Sequence, residues 1–220
     1  MTRPIPPELL KRIREHERWL ETFKKEGQQF AQQWVDLRDL DLSSRDLAMV
    51  ALSRVRLDRA LLYSTDLSDA ILYEGSFVQT MLDNAQLIEV DATRSNFSEA
   101  SLRRVRGISA RFIESNLHDA SLEESNFYDA DFQKTNLEGA NCSHANLRGT
   151  YLVKSHLAHA ILTGAQVEGA TFIGATGIET IEVEWLDVGT EKVPQRLEGE
   201  QAKNWLLMAA TGRAEQRASA

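Results

Sequence analysis

A large apolar residue returns at every fifth position from residue 37 to residue 172, and no insertion or deletion interrupts the count. Of the 28 positions in that column, 24 are Leu or Phe and one is Val167; Ala92, Gly107 and Cys142 are the exceptions. Two residues earlier in each quintet, 26 of 28 positions hold Ala, Ser, Thr, Val or Gly, with Leu40 and Arg45 departing. A five-residue period fits neither a helix, at about 3.6 residues per turn, nor a strand, whose side chains alternate every two. The chain must follow a repeated turn-like path that brings the same two positions inward at each step.

The quintets themselves carry a recognisable pattern. Ala145-Asn146-Leu147 reads A-(D/N)-L, Ala130-Asp131-Phe132 has Phe for Leu, Ser115-Asn116-Leu117 has Ser for Ala, and Ala140-Asn141-Cys142 has Cys at the centre. The sequence resembles the pentapeptide-repeat family, and the resemblance implies an all-β fold. That fold is a right-handed, four-sided parallel β-helix with one quintet per side and twenty residues per coil. At four quintets per coil the 28 steps make about seven coils, a rod about 34 Å long at about 4.8 Å per rung. Three segments follow: an N-terminal helical cap (1–34), the repeat rod (35–177) and a C-terminal strand and helix (178–220).

Both ends read as covers for exposed strand edges. Pro4, Pro6 and Pro7 precede a charged stretch in which Leu9, Leu10, Ile13, Trp19, Leu20 and Phe23 recur at helical spacing before Gly27. Phe30 and Trp34 are expected to complete this lid, with Arg45 snorkelling out beside it. Past Gly177, Ile181, Val183 and Trp185 alternate with acids like a strand, and Glu198 to Ala210 reads as a helix with Ala202, Trp205, Leu206 and Ala209 on one face. This segment caps the far end or, as in some topoisomerase-protecting members of the resembled family, makes a homodimer. The weakest rung is expected at Gly107, as a void or a bulge unless Ile108 turns inward.

Composition narrows the function. The formal charge is −8, with the excess acid in the rod, which argues against direct nucleic-acid binding. No long apolar run or secretory h-region is present, so the expectation is a cytoplasmic protein without membrane contact. The single cysteine, Cys142, sits in the large inward column and reads as a packed hydrophobe. The histidines His16, His118, His144, His156 and His159 show no metal-ligand spacing, and a slim rod offers no pocket for converging groups. Acyltransferase solenoids use six-residue steps. No catalytic, cofactor or metal site is therefore expected.

What remains is surface, and the leading expectation is a non-catalytic protein-interaction rod. An outward belt of Leu61, Tyr63, Ile71, Tyr73 and Met81, with Val78 and Ile88 nearby, is one candidate partner site. The other is an acidic face of Asp46, Asp66, Asp69, Glu89 and Asp129. The resemblance implies that such a face imitates DNA toward DNA gyrase or another topoisomerase and so confers resistance to gyrase poisons. Some quinolone-resistance members carry loops that interrupt the repeat, and this chain has none. A second acidic side holds Asp36, Asp39, Asp58, Glu99, Asp119 and Glu138. A third side stacks Arg54, Glu74, Arg94, Glu114, Lys134 and Lys154, expected to pair as alternating charges from Arg54 to Lys134. Arg103, Arg104, Arg106 and Arg111 form a basic spot that either holds an anion or is neutralised by Glu123 and Glu124.

Overall fold

The inward pair of each quintet generates the architecture. In a computed structural model, which describes residues 3–212, Leu117 and Phe127 are fully buried and Leu137 is 2 % exposed, as are almost all residues of both columns. Nearly every quintet closes with a β-turn in which the centre's carbonyl accepts the N–H three residues on, as Leu57 does from Ala60 at 2.9 Å. The second residue past the centre takes a positive φ, from Asp39 at 59° to His159 at 58°, the type II pattern. That conformation costs a non-glycine residue about 1–2 kcal/mol, and the turn is held open by the next coil. The N–H of Arg54 reaches the carbonyl of Tyr73 at 2.8 Å, and that of Arg59 reaches Val78 at 2.9 Å.

Coils stack in register at a period of twenty. Parallel bridges run Asp36, Arg56, Ser76, Asn96, Asn116, Asn136, His156, Thr176 on one side, seven bridges in all, and three further ladders start at Asp41, Asp46 and Ala31. Four ladders per period make a four-sided parallel β-helix. The sides are numbered by their centres: first (Leu37, Leu57, Phe77), second (Leu42, Leu62, Leu82), third (Leu47, Leu67, Leu87) and fourth (Leu52, Leu72, Ala92). Each rung is a single bridge and not a longer strand, because a turn begins two residues after it.

The interior is filled across coils. Phe77 stacks on Phe97 at 4.2 Å and Phe112 on Phe132 at 5.3 Å, while Phe127 meets Phe112 and Phe132 edge-on. Gly107 is neither void nor bulge. Its N–H still bonds the Asn126 carbonyl at 2.8 Å, Ile108 stays outward, and the Phe127 ring from the following coil occupies the space. Ala92, likewise small, precedes Phe112 by one coil.

At the N-terminal end α1 (Pro7–Glu21) lies across the first coil with Ile13 and His16 buried. Arg45, outward in the small column, pairs with Glu17 of α1 at 3.3 Å. Two lid residues behave otherwise than the apolar stripe implies. Phe23 falls beyond the helix end at a positive φ and is 86 % exposed, and Trp34, at the outward turn position, is 70 % exposed under the Arg54 guanidinium. Phe30 alone is buried of the Phe30–Trp34 pair.

At the other end Glu182 and Asp187 continue two ladders, one residue out of the twenty-residue step. A short helical turn, Ile178–Thr180, precedes β1 (Trp185–Asp187), which pairs antiparallel with β2 (Arg196–Glu198). α2 (Gly199–Ala210) buries Ala202, Leu206 and Ala209 and sets Trp205 edge-on to Phe172 at 6.1 Å. Residues 213–220, the remainder of the proposed dimer-forming segment, lie outside the described residues.

Candidate partner-binding surfaces

The fourth side is a self-neutralised ladder. Glu74 accepts from Arg54 at 2.7 Å and lies 3.7 Å from Arg94, and Glu114 lies 3.7 Å from Arg94 and 2.8 Å from Lys134. The Arg54 hydrogen bond holds the Glu74 carboxyl below its ordinary range, and Lys134 does the same for Glu114. Exposed pairs of this kind contribute a few tenths of a kcal/mol each, but they leave little free charge for a partner.

The basic spot divides among three sides, Arg103 and Arg104 on the second, Arg106 on the third and Arg111 on the fourth, and all but Arg106 are paired. Arg103 meets Glu123 and Arg104 meets Glu124, each at 2.7 Å, and Arg111 reaches Asp91 at 3.4 Å. On the first side Asp36 pairs with Arg38 at 2.6 Å, which depresses its pKa strongly, and Asp39 with Arg59 at 2.7 Å. His118 and His156 flank Glu138, each 3.9 Å from its Oε2, while His156 Nδ1 contacts the Thr176 hydroxyl at 2.9 Å. Among the described residues no group of three or more His, Cys, Asp or Glu is placed to hold a metal ion. Cys142 is buried in the core, and desolvation pushes its thiol up to about 12.

The apolar belt does not form one patch. Leu61, Tyr63 and Met81 stand on the second side, where Leu61 bridges Met81, whereas Ile71 and Tyr73 stand on the fourth side, across the rod. A centre-to-centre shift of two quintets separates them, and two quintets are half a coil. Tyr73 is further engaged, its hydroxyl accepting from Arg94 at 3.0 Å. Val78 and Ile88 fall on the two remaining sides.

The acidic set behaves differently, because Asp46, Asp66, Asp69, Glu89 and Asp129 all fall on the third side. Asp46 bridges Asp66 directly, and Asp69, Glu89 and Asp129 occupy the equivalent turn position of successive or alternate coils. No Lys, Arg or His among the described residues lies within ion-pair distance of any of the five; Asp66 accepts only neutral donors, the Ser68 N–H at 2.9 Å and the Gln86 amide at 3.3 Å. The nearest basic residue in the side's own columns, Arg106, makes no ion pair among the described residues. The same twenty-residue columns that gather this set also set the opposite charges of the fourth side next to one another.

A four-sided repeat solenoid with a polar wall is the class of protein these features define. The family model described as pentapeptide repeats, in eight copies, matches residues 76–106, 108–141 and 140–176, and the chain belongs to that family. The match breaks at residue 107, where glycine holds the large column.

Three solved structures are similar. QnrB1, a plasmid-mediated fluoroquinolone resistance protein, is 12 % identical over 66 % of this chain and 80 % of its own, with a TM-score of 0.41. HetL, a pentapeptide-repeat protein involved in heterocyst differentiation regulation in the cyanobacterium Nostoc sp. strain PCC 7120, is 21 % identical over 77 % of this chain and 93 % of its own, with a TM-score of 0.29. Rfr23 from the cyanobacterium Cyanothece 51142 is 26 % identical over 50 % of this chain and 62 % of its own, with a TM-score of 0.18. No curated protein sequence matches the chain.

Proposed function

We propose that the protein is a non-catalytic interaction rod that presents its third side to a basic, DNA-tracking groove of a partner protein. The observation that carries this reading is the row of unpaired carboxylates Asp46, Asp66, Asp69, Glu89 and Asp129 on one side, beside neighbouring sides whose charges are largely paired. Four coil steps separate Asp46 from the Asp129 rung, about 19 Å at about 4.8 Å per rung. One strand of duplex DNA carries about six phosphates over that length and two strands about eleven. Five carboxylates approach the density of a single strand, less the one unpaired guanidinium of Arg106 on the same side. The winding is taken as right-handed, as the family resemblance implies.

A topoisomerase such as DNA gyrase fits this chemistry, with protection against gyrase poisons as the consequence. The test is a supercoiling assay with and without a quinolone, using the intact protein and a variant with Asp66→Lys, Asp69→Lys and Glu89→Lys. Protection or inhibition by the intact protein that the variant loses supports the reading. If neither effect occurs at micromolar protein, the topoisomerase is removed as the partner.

A further inference from the structure

On the third side the residue just past the centre is apolar in three successive coils, Ile88, Ile108 and Tyr128. No other side repeats an apolar residue in that column over three coils. Ile88 and Ile108 are half-buried and Tyr128 is 45 % exposed. The ladder beneath keeps the row straight: the Ile88, Ile108 and Tyr128 carbonyls accept the N–H groups of Asp69, Glu89 and Ser109 at 2.8, 2.9 and 2.9 Å. Ser68 ends the row toward the N-terminus, and Arg148, whose guanidinium turns to Asp187, ends it toward the C-terminus.

The charges beside this row are unequal on its two flanks. Along the turn flank, one residue further on in each quintet, stand Asp69, Glu89 and Asp129, interrupted only by Ser109. Along the bridge flank, level with the row, stand Gln86, Arg106 and Asn126. The three carboxylates and Arg106 are exposed, and none of the four is in an ion pair among the described residues.

We infer that this row seats one amphipathic helix of a partner protein, apolar along its seam and basic along the flank that meets Asp69, Glu89 and Asp129. A strand cannot be added here, because these rungs lie in mid-rod and already bond the coils on either side. A helix brings side chains alone. Its residues i, i+4 and i+7 span about 10.5 Å at about 1.5 Å per residue, against about 9.6 Å for three rungs at about 4.8 Å, so three apolar residues of one face meet Ile88, Ile108 and Tyr128 in turn. Tyr128 offers the large aromatic contact on which such interfaces concentrate their affinity. Arg106 repels a cation on the other flank and so fixes the direction in which the helix runs. Phosphates have no apolar counterpart to this row, which therefore selects for a protein surface beyond its charge. The chain's own basic helix does not serve, since α1 buries Ile13 and His16 on the first coil. The inference rests on the third side being the one that faces the partner, and it names what the partner brings there.

A displayed library of single helices on a fixed scaffold, randomised along one face, is selected against the intact protein. The expected helices carry apolar residues at i, i+3 or i+4, and i+7, with Lys or Arg on one flank, and bind the Tyr128→Ser and Ile108→Thr proteins about ten-fold or more weakly. A second readout uses the unsubstituted protein and stands even if a variant misfolds. The bound helix slows exchange of the Ile88 and Ile108 amides, which donate to no group among the described residues. No enrichment, or helices that bind both variants as tightly as the intact protein and leave those amides unprotected, overturns the inference. Helices weakened by Asp69→Lys with Glu89→Lys but indifferent to Tyr128→Ser overturn it as well, and leave the proposed function standing. Self-association that Tyr128→Ser abolishes assigns the row to a second copy and also overturns it. The supercoiling assay bears on the topoisomerase alone, so the two failures are distinct.

Discussion

A β-carbon placed on Gly107 would lie 2.4 Å from the Phe127 ring, so the glycine in the large column is the seat of an aromatic from the next coil. The two residues share one volume that elsewhere in the rod is divided between two leucines. Gly107→Ala therefore overfills a site with no room to yield, at a cost of about 1–3 kcal/mol. Phe127→Leu alone leaves a cavity and also destabilises. The double substitution is expected to be less destabilising than the two single losses added, because the smaller ring partner admits the methyl. Chemical unfolding of the four proteins checks this, and strict additivity would show that Phe127 does not fill the Gly107 position.

His16 ties α1 to the rod as a neutral ring. Its Nδ1 accepts the Phe30 N–H at 3.1 Å, so Nε2 carries the proton and donates to the Ala48 carbonyl at 2.9 Å. Burial lowers its pKa below the ordinary value of 6.5, opposed by the Ala48 bond and by Asp46 and Glu17 nearby. A group whose folded pKa lies below its unfolded one contributes fully above the unfolded value and loses that contribution as pH falls from there through the folded value. The α1 docking is thus expected to weaken as pH drops from about 7 to about 5, where protonation of Nδ1 removes the acceptor for Phe30. Amide exchange in α1 should accelerate over that interval while the central coils stay protected. His16→Gln should flatten the dependence; an unchanged pH response in that variant would place the titration elsewhere.

The rod was legible in the sequence because its two inward columns repeat without interruption, and Leu117, Phe127 and Leu137 lie where that period places them. The charge ladder from Arg54 to Lys134 was legible for the same reason, since a twenty-residue coil makes column neighbours out of residues twenty apart. One rung was not. The Gly107 rung looked empty because a single column cannot show that Phe127, one coil away, fills it. The division of the apolar belt is legible by the same columns, since half a coil separates Ile71 and Tyr73 from Leu61, Tyr63 and Met81 although all five are close along the chain.

Arg148 and Asp187 join the last coils to the C-terminal hairpin, and the carboxylate carries more of the joint than the guanidinium. Arg148 Nη2 lies 3.2 Å from Asp187 Oδ2, with both side chains 12 % exposed. Asp187 Oδ1 also accepts the N–H groups of Gly189 and Gln195, each at 3.0 Å, while its backbone extends the third-side ladder from Gln166. Arg148→Ala leaves a mostly buried carboxylate without its cation, a loss of about 3–5 kcal/mol for a fully buried pair and less here. Asp187→Ala removes the same pair and in addition strands two N–H groups, while Arg148 keeps the Gln166 side chain at 2.5 Å and Glu168 at 3.7 Å. The expected order of stability is therefore intact protein, Arg148→Ala, Asp187→Ala. Because neighbouring coils contribute separately in a stacked array, the damage should begin locally, with amide protection lost first across β1, β2 and α2. Hydrogen exchange followed by denaturant titration reads both the order and the place; equal losses in the two variants, or a loss spread evenly along all coils, would assign the joint to packing and not to the Asp187 carboxylate.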